Sequence, residues 1–176
     1  SQKILVPSHC VEDLLIDEWN VKREKIIVTP EAVDNSIPIL ANKMTKTDEE
    51  KILDKFGVRQ PYLFYVGNAH PHKNLEGLIK AFLILQKKYP KLGLVLSGYD
   101  HFFWQRLKSE NQYENIVYTG FITDREMVAL YKNAEMFVLP SYEEGFGIPV
   151  LEAFACSCPV VSSSGGSLPE VGGDGA

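Results

Sequence analysis

From Tyr62 onward the chain alternates short apolar runs with longer segments in which apolar residues return every three or four positions. The runs are YLFYV (62–66), LGLVLS (92–97), NIVYT (115–119), MFVLP (136–140) and PVVSS (159–163). Their length and their β-branched or aromatic content predict buried strands. Between the first two, NLEGLIKAFLILQKKY sets Leu75, Leu78, Ile79, Phe82 and Leu85 at helical spacing. Thr123, Asp124 and Glu126 form a capping box ahead of MVALYKN and mark another helix start. HFFWQRLK predicts a further helix, with its aromatic side chains in the core and not in a base-stacking platform. Strands alternating with helices predict right-handed βαβ units and a parallel sheet covered on both faces, an α/β fold.

The first sixty residues follow a different pattern. KILVP and KIIVT read as strands around a helix in CVEDLLIDEWN, and the polar stretch EAVDNSIPILANKM reads as a linker. Thr47 to Glu50 reads as a second capping box, opening a helix that stops at Gly57. A boundary near residues 34–46 follows, with 1–40 as the tail of one domain plus a linker and 41–176 as the main domain. The start at Ser1 and the close on GGDGA read as cut ends.

The length of 176 residues suits one domain, or one domain with a piece of another. A net charge of −5 argues against a nucleic-acid or anionic-membrane surface over the whole chain, but it leaves room for a local basic pocket. Cys10, Cys156 and Cys158 have no metal-binding spacing and read as reduced thiols of a cytoplasmic protein. No signal peptide and no apolar stretch long enough to span a bilayer is visible in these residues.

The candidate chemistry lies where strands end, the edge at which parallel sheets bind ligands. SYEEGFGIPVLE holds Glu144 and Glu152 on either side of two glycines and a proline. Gly145 and Gly147 can take positive φ and let another molecule approach the backbone closely, and Pro149 suits the first turn of a helix. Glu144 then precedes the turn and Glu152 lies just inside the helix, so a ligand across the helix start meets both. Lys73, in GNAHPHKN, is expected beside the start of the next helix with Asn74 as its N-cap, an arrangement that favours a bound anion such as phosphate. Gly67, Gly98 and Gly120 each follow a predicted strand, although a tight turn alone accounts for any one of them. His70 and His72 make a poor metal pair, and His9 and His101 have no evident partner. Neither G-x-G-x-x-G nor G-x-x-x-x-G-K-[ST] occurs. A nucleoside diphosphate bearing a sugar matches what is left: backbone amides and Lys73 for phosphates, carboxylates for hydroxyls.

EGFGIPVLEAFACSCPVV, with Glu144 and Glu152 in an E-x7-E pattern, resembles the corresponding region of retaining glycosyltransferase family 4. YVGNAHPHKNLEGLIKAF, LVLSG, TGFITDREMVALYKNAEMFVLPSYEEGFG and SLPEVGG are similar to that family in the same order, so the resemblance covers roughly residues 62–173. It implies the Rossmann-like C-terminal, donor-binding half of a GT-B enzyme, with residues 1–40 as the end of the acceptor-side domain. It assigns Lys73 to the donor diphosphate, Glu144 to the transferred sugar and Glu152 to the ribose hydroxyls. Gly67, Asn68, Gly98, Phe121, Ile122, Gly145, Phe146, Gly147 and Ile148 complete the implied nucleotide-sugar site, with no metal ion and no cofactor beyond a UDP- or GDP-sugar donor. Transfer to a glycan or lipid-linked acceptor, a cytoplasmic location, membrane association of a longer parent and inactivity of the isolated chain are further expectations. Many members carry arginine where this chain has Asn68 or His72, and Ser157 replaces a helix-ending glycine. Competing readings are a nucleotide-sugar epimerase of the same fold and a non-catalytic nucleotide- or sugar-sensing module.

Overall fold

Two parallel sheets organise residues 2–176, the part of the chain that this computed structural model describes. The smaller pairs β1 (Ile4–Val6) with β2 (Ile26–Val28), joined through α1 (His9–Asp17). The larger has β3 (Tyr62–Val66), β4 (Gly93–Ser97), β5 (Ile116–Gly120), β6 (Met136–Leu139) and β7 (Val160–Ser162) in the order β5-β4-β3-β6-β7. Every pairing in it is parallel, as the alternating pattern predicts. The chain runs outward from β3 to β5, then returns to place β6 on the other side of β3. Strand order therefore reverses between β3 and β6, and the loops leaving these two strands border the crevice where such sheets bind ligands.

Helices cover both faces, which is why the strands are continuous apolar runs and not alternating ones. Tyr62, Phe64 and Tyr65 of β3 and Leu94 and Val95 of β4 are wholly buried. α4 (Leu75–Lys88) turns Leu75, Leu78, Ile79 and Phe82 inward, and α5 (Phe102–Glu110) buries Trp104 and Leu107. Truncating Phe64 or Phe82 to alanine costs about 3–5 kcal/mol, the usual range for a large aromatic in a packed core. α6 (Asp124–Asn133) starts at the expected Thr123–Glu126 capping box. α7 (Ile148–Ala155) and α8 (Leu168–Gly172) follow β6 and β7.

Several local expectations change. The stretch read as a linker contains α2 (Ser36–Lys43), which packs on α6 and α7. Pro38 falls in its first turn, where the missing N–H breaks no bond, and Ile37 is buried in the core. The second capping box is Thr45 with Asp48, two residues earlier than read, and it opens α3 (Lys46–Phe56), which ends at a left-handed Gly57 as expected. Asn74 precedes α4, but its side chain makes no cap there; its amide donates to the Pro140 carbonyl at 3.1 Å. Of the aromatic residues near α5, Trp104 is core, whereas Phe102 and Tyr99 are exposed.

A polar clamp joins α2, α3 and α6. Lys132 Nζ meets the buried Glu49 carboxylate at 2.7 Å and the Ala41 carbonyl at 2.9 Å. Asn133 donates to the second Glu49 oxygen at 3.2 Å. Burial pushes the Glu49 pKa up, but the bonds from Lys132, Asn133 and Lys46 outweigh it and leave the carboxyl below its ordinary value.

Candidate functional site

The loop after β3 brings Lys73 to the crevice through one turn of 3-10 helix, Pro71–Lys73. The loop after β6 is pinned to it by the Tyr142 amide, which donates to the His72 carbonyl at 2.7 Å, and by the Asn74–Pro140 bond. These ties set Glu144 opposite Lys73, and the ammonium bonds both carboxylate oxygens at 2.7 and 2.8 Å. The Ser141 hydroxyl donates to Glu144 Oε1 at 2.7 Å. The Lys73 and Glu144 side chains are only 15% and 11% exposed, so the pair lies inside the crevice wall and not on the surface.

A second loop holds the backbone of EEGFG in place. The Ser167 amide donates to the Glu144 carbonyl at 3.0 Å, and its hydroxyl reaches both that oxygen and the Phe146 carbonyl, at 3.0 and 2.8 Å. Ser163 donates to the Ser141 carbonyl. Gly147 takes φ +104° and turns the chain into α7, with Pro149 in its first turn. Of the two glycines that could take positive φ only Gly147 does; the turn is made there and not at Gly145.

Glu152 sits in the second turn of α7. Its Oε2 lies 3.2 Å from the hydroxyl of Tyr131, which is fully buried in α6. Burial lifts the Glu152 pKa above the ordinary carboxylate value, the Tyr131 bond draws it back in part, and the nearby Asp124 charge adds to the lift. No hydrogen bond joins Glu152 to Lys73 or Glu144, so the two acids have separate partners. The remaining predicted residues line the same strand-end edge. The Gly98 amide donates to the Gly120 carbonyl at 3.1 Å, and a side chain at Gly98 would stand 2.1 Å from the Gly67 carbonyl. Phe121 is 70% exposed and meets Tyr99 edge-on at 6.2 Å, while Ile122 packs on the core. Asn68 is taken up by its own loop: its carbonyl accepts from Tyr65 at 2.6 Å and its side chain from the His70 amide at 3.2 Å. The Phe146 ring is buried, which leaves its backbone nearest the edge, and Ile148 is the first residue of α7.

Residues 2–33 touch this site through α1. Ser8, wholly buried, donates to the Gly145 carbonyl at 2.9 Å. The Glu170 carboxylate of α8 accepts from the His9 and Cys10 amides at 3.1 and 3.3 Å. Between α1 and the EEGFG loop lies a cleft of about 340 Å³ bordered by Val11, Leu14, Asp17, Glu143 and Glu144. A second hollow, of about 440 Å³, opens between α5 and the ends of β4 and β5. His9, for which the sequence offered no evident partner, binds Glu12 at 3.0 Å, and the His101 ring lies tilted by 32° against His70 with ring centres 5.4 Å apart. Cys156 and Cys158 are buried free thiols, pushed up to about 12 and about 11 chiefly by burial. Among the described residues no group of three or more His, Cys, Asp and Glu side chains can hold a metal ion, and no helix is long and apolar enough to cross a membrane.

The sequence reading missed Tyr131, Ser141 and Ser167. All three lay inside quoted motifs, and only the folded chain shows that Tyr131 meets Glu152, Ser141 meets Glu144 and Ser167 holds the backbone between them.

Fold and site together define a Rossmann-like α/β domain with a charged crevice at a reversal of strand order. The family model described as "Glycosyl transferases group 1" matches residues 46–176, and the chain belongs to that family. The O-antigen chain mannosyltransferase B of Escherichia coli is 41% identical over 132 residues, covering 70% of this chain and 34% of that protein. A solved glycosyltransferase from Rickettsia africae superposes over 96% of this chain and 46% of its own, with TM-score 0.83 and 22% identity. Anabaena Alr3699/HepE, solved in complex with UDP-glucose, covers 97% of this chain with TM-score 0.81 and 21% identity. The chain spans about a third of that curated relative and under half of each of these solved structures.

Proposed function

We propose that this chain is the donor-binding part of a retaining glycosyltransferase of the E-x7-E type, taking a sugar from a nucleoside diphosphate to a glycan or lipid-linked acceptor. The observation that carries this reading is the Lys73–Glu144 pair in the crevice between β3 and β6, with Glu152 following in α7. A diphosphate at the start of α7 meets the positive end of the helix dipole and the Lys73 ammonium, which together offset leaving-group charge without a divalent cation. Glu144, beside the cleft under α1, takes hydroxyls of the transferred sugar. Glu152 takes the ribose diol. Gly98, Gly120, Phe121 and Ile122 border the space left for the base. Residues 41–176 form the donor domain and 1–40 the end of an acceptor-side domain. Acceptor groups lie beyond these residues, so the chain alone binds donor without turnover. The mannosyl transfer named for the Escherichia coli relative makes a nucleoside diphosphate mannose the first donor to try.

Titration calorimetry with UDP, GDP and their sugar conjugates tests the site. Glu152→Ala is expected to weaken binding of every nucleotide by about 1.5–3 kcal/mol, the range for hydrogen bonds to a charged group. Unchanged affinity in that variant would remove the ribose assignment. Retention is checked by the anomeric configuration of the product made by a longer parent enzyme; inversion at the anomeric carbon would refute it, and inversion at C2 without transfer would mark an epimerase.

A further inference from the structure

Tyr131 carries a buried hydroxyl that the proposed chemistry does not use. Its ring is fixed edge-on against Phe64 and Phe137, with centres 5.0 and 5.2 Å away, so its oxygen has one place to be. That oxygen lies 3.2 Å from Glu152 Oε2 and 3.2 Å from the Pro149 carbonyl. We infer that Tyr131 is a positioning residue for Glu152, holding Oε2 so that Oε1 is turned to the ribose diol. The inference rests on the reading of Glu152 as the ribose-binding acid.

A hydroxyl has one proton to donate and lone pairs to accept. With Glu152 ionised, Tyr131 gives that proton to Oε2. With Glu152 neutral, the acid donates to Tyr131, and Tyr131 turns its proton to the Pro149 carbonyl. Both protonation states are thus accommodated, but only the ionised one gives Oε1 carboxylate charge, and with it the stronger, charge-assisted bonds to the diol. Glutamate has a long, freely rotating side chain, and no other hydrogen bond fixes Glu152 among the described residues. The ionisable groups around it are Tyr131 and Asp124 from α6 and Cys156 one turn along α7. None of the three supplies a positive charge, so the tyrosine bond is what favours the ionised acid.

The test compares UDP and GDP with their 2′,3′-dideoxy counterparts by calorimetry from acid to neutral pH, on the wild-type chain, Tyr131→Phe and Glu152→Gln. Wild type is expected to prefer the ribose form by roughly ten- to a hundredfold, as fits hydrogen bonds to a charged group. Tyr131→Phe should bind the dideoxy compounds as wild type does, lose most of that preference, and move to higher pH the acid limb of what remains, read as the ratio of ribose to dideoxy affinity so that titration of the nucleotide's own phosphate cancels. Glu152→Gln should lose the limb. A phenylalanine variant that keeps both the preference and the limb overturns the positioning role while leaving the ribose assignment standing. A wild type with no ribose preference overturns both. If Tyr131→Phe does not fold, ring-carbon-labelled tyrosine in the wild-type chain answers the question. The Tyr131 Cζ resonance should shift as Glu152 titrates and again on adding nucleotide, and its indifference to both would refute the proposal.

Discussion

Lys73 and Glu144, 71 positions apart, close a two-pronged ion pair, with Nζ at 2.7 and 2.8 Å from the carboxylate oxygens. Each comes from the loop on one side of the strand-order reversal, so the pair also fastens the two walls of the crevice. The positive charge proposed for a diphosphate already has a carboxylate on it. A phosphate entering the crevice must share Lys73 with Glu144 or displace it.

Glu144→Ala is therefore expected to release Lys73 toward phosphate. Affinity for UDP or GDP should hold or rise, while a sugar-bearing donor loses about 1.5–3 kcal/mol for its missing hydroxyl contacts. Calorimetry with nucleotide and nucleotide sugar side by side decides it. Equal losses for both would show that Glu144 does not discriminate the sugar.

Lys73→Ala should act on the fold as well as on the ligand. It leaves Glu144 mostly buried with Ser141 as its one side-chain donor, and stranding a buried charge costs about 3 kcal/mol. Urea denaturation should show that loss, and Lys73→Met with Glu144→Gln should recover much of it. A double variant no more stable than Lys73→Ala would argue against a stranded charge.

The α2–α3–α6 clamp makes a prediction away from the site. Glu49→Ala removes both side-chain contacts that hold Lys132 and Asn133 to α3, and leaves Lys132 with the Ala41 carbonyl. The expected loss is about 3–5 kcal/mol, visible in thermal denaturation with nucleotide affinity little changed.

The same elements show what could be read from the chain and what could not. All five strands of the main sheet fall within a residue or so of their expected ends, because runs buried on both faces have one period and sharp glycine or proline boundaries. Residues 36–43 were harder to read. Their polar surroundings and Pro38 read as a linker, yet buried Ile37, with Leu40 and Ala41 packed beside it, secures a helix once α6 and α7 are there to receive it. A short segment stabilised by a distant partner leaves little local signal. Lys73, Glu144 and Glu152 were recognisable as residue types at strand ends, but the pairing of Lys73 with Glu144 and of Glu152 with Tyr131 depends on side-chain geometry across separate loops. Tyr131 falls on the helical repeat of α6 with Met127 and Leu130, which marks it as core but not as a partner of Glu152, and Ser167 had no periodicity or spacing to mark it.

Acid should reveal Glu152. Burial raises its folded pKa above the ordinary 4.5, so the folded chain holds this proton more tightly than the unfolded one. The stability that comes with the proton is fully present below the unfolded value and is lost as pH rises through the raised folded value. Glutamine at 152 is spared this loss. The stability of Glu152→Gln relative to wild type should thus grow as pH rises above 4.5 and then level off, as followed by urea denaturation at a series of pH values. A constant difference would mean that the carboxyl is not lifted in the folded chain.

The Glu170 carboxylate that receives the His9 and Cys10 amides has a consequence for the order of folding. The first turn of α1 has four amides without helical partners, and two of them wait for a residue 161 and 160 positions further on. At ordinary rates of synthesis that wait is on the order of ten seconds. Until then Ser8 caps Val11 alone, and the Gly145 carbonyl it also serves has not been made either. The start of α1 is thus made before the partners that complete it, and it becomes native only after the EEGFG loop and α8 have followed it out of the ribosome.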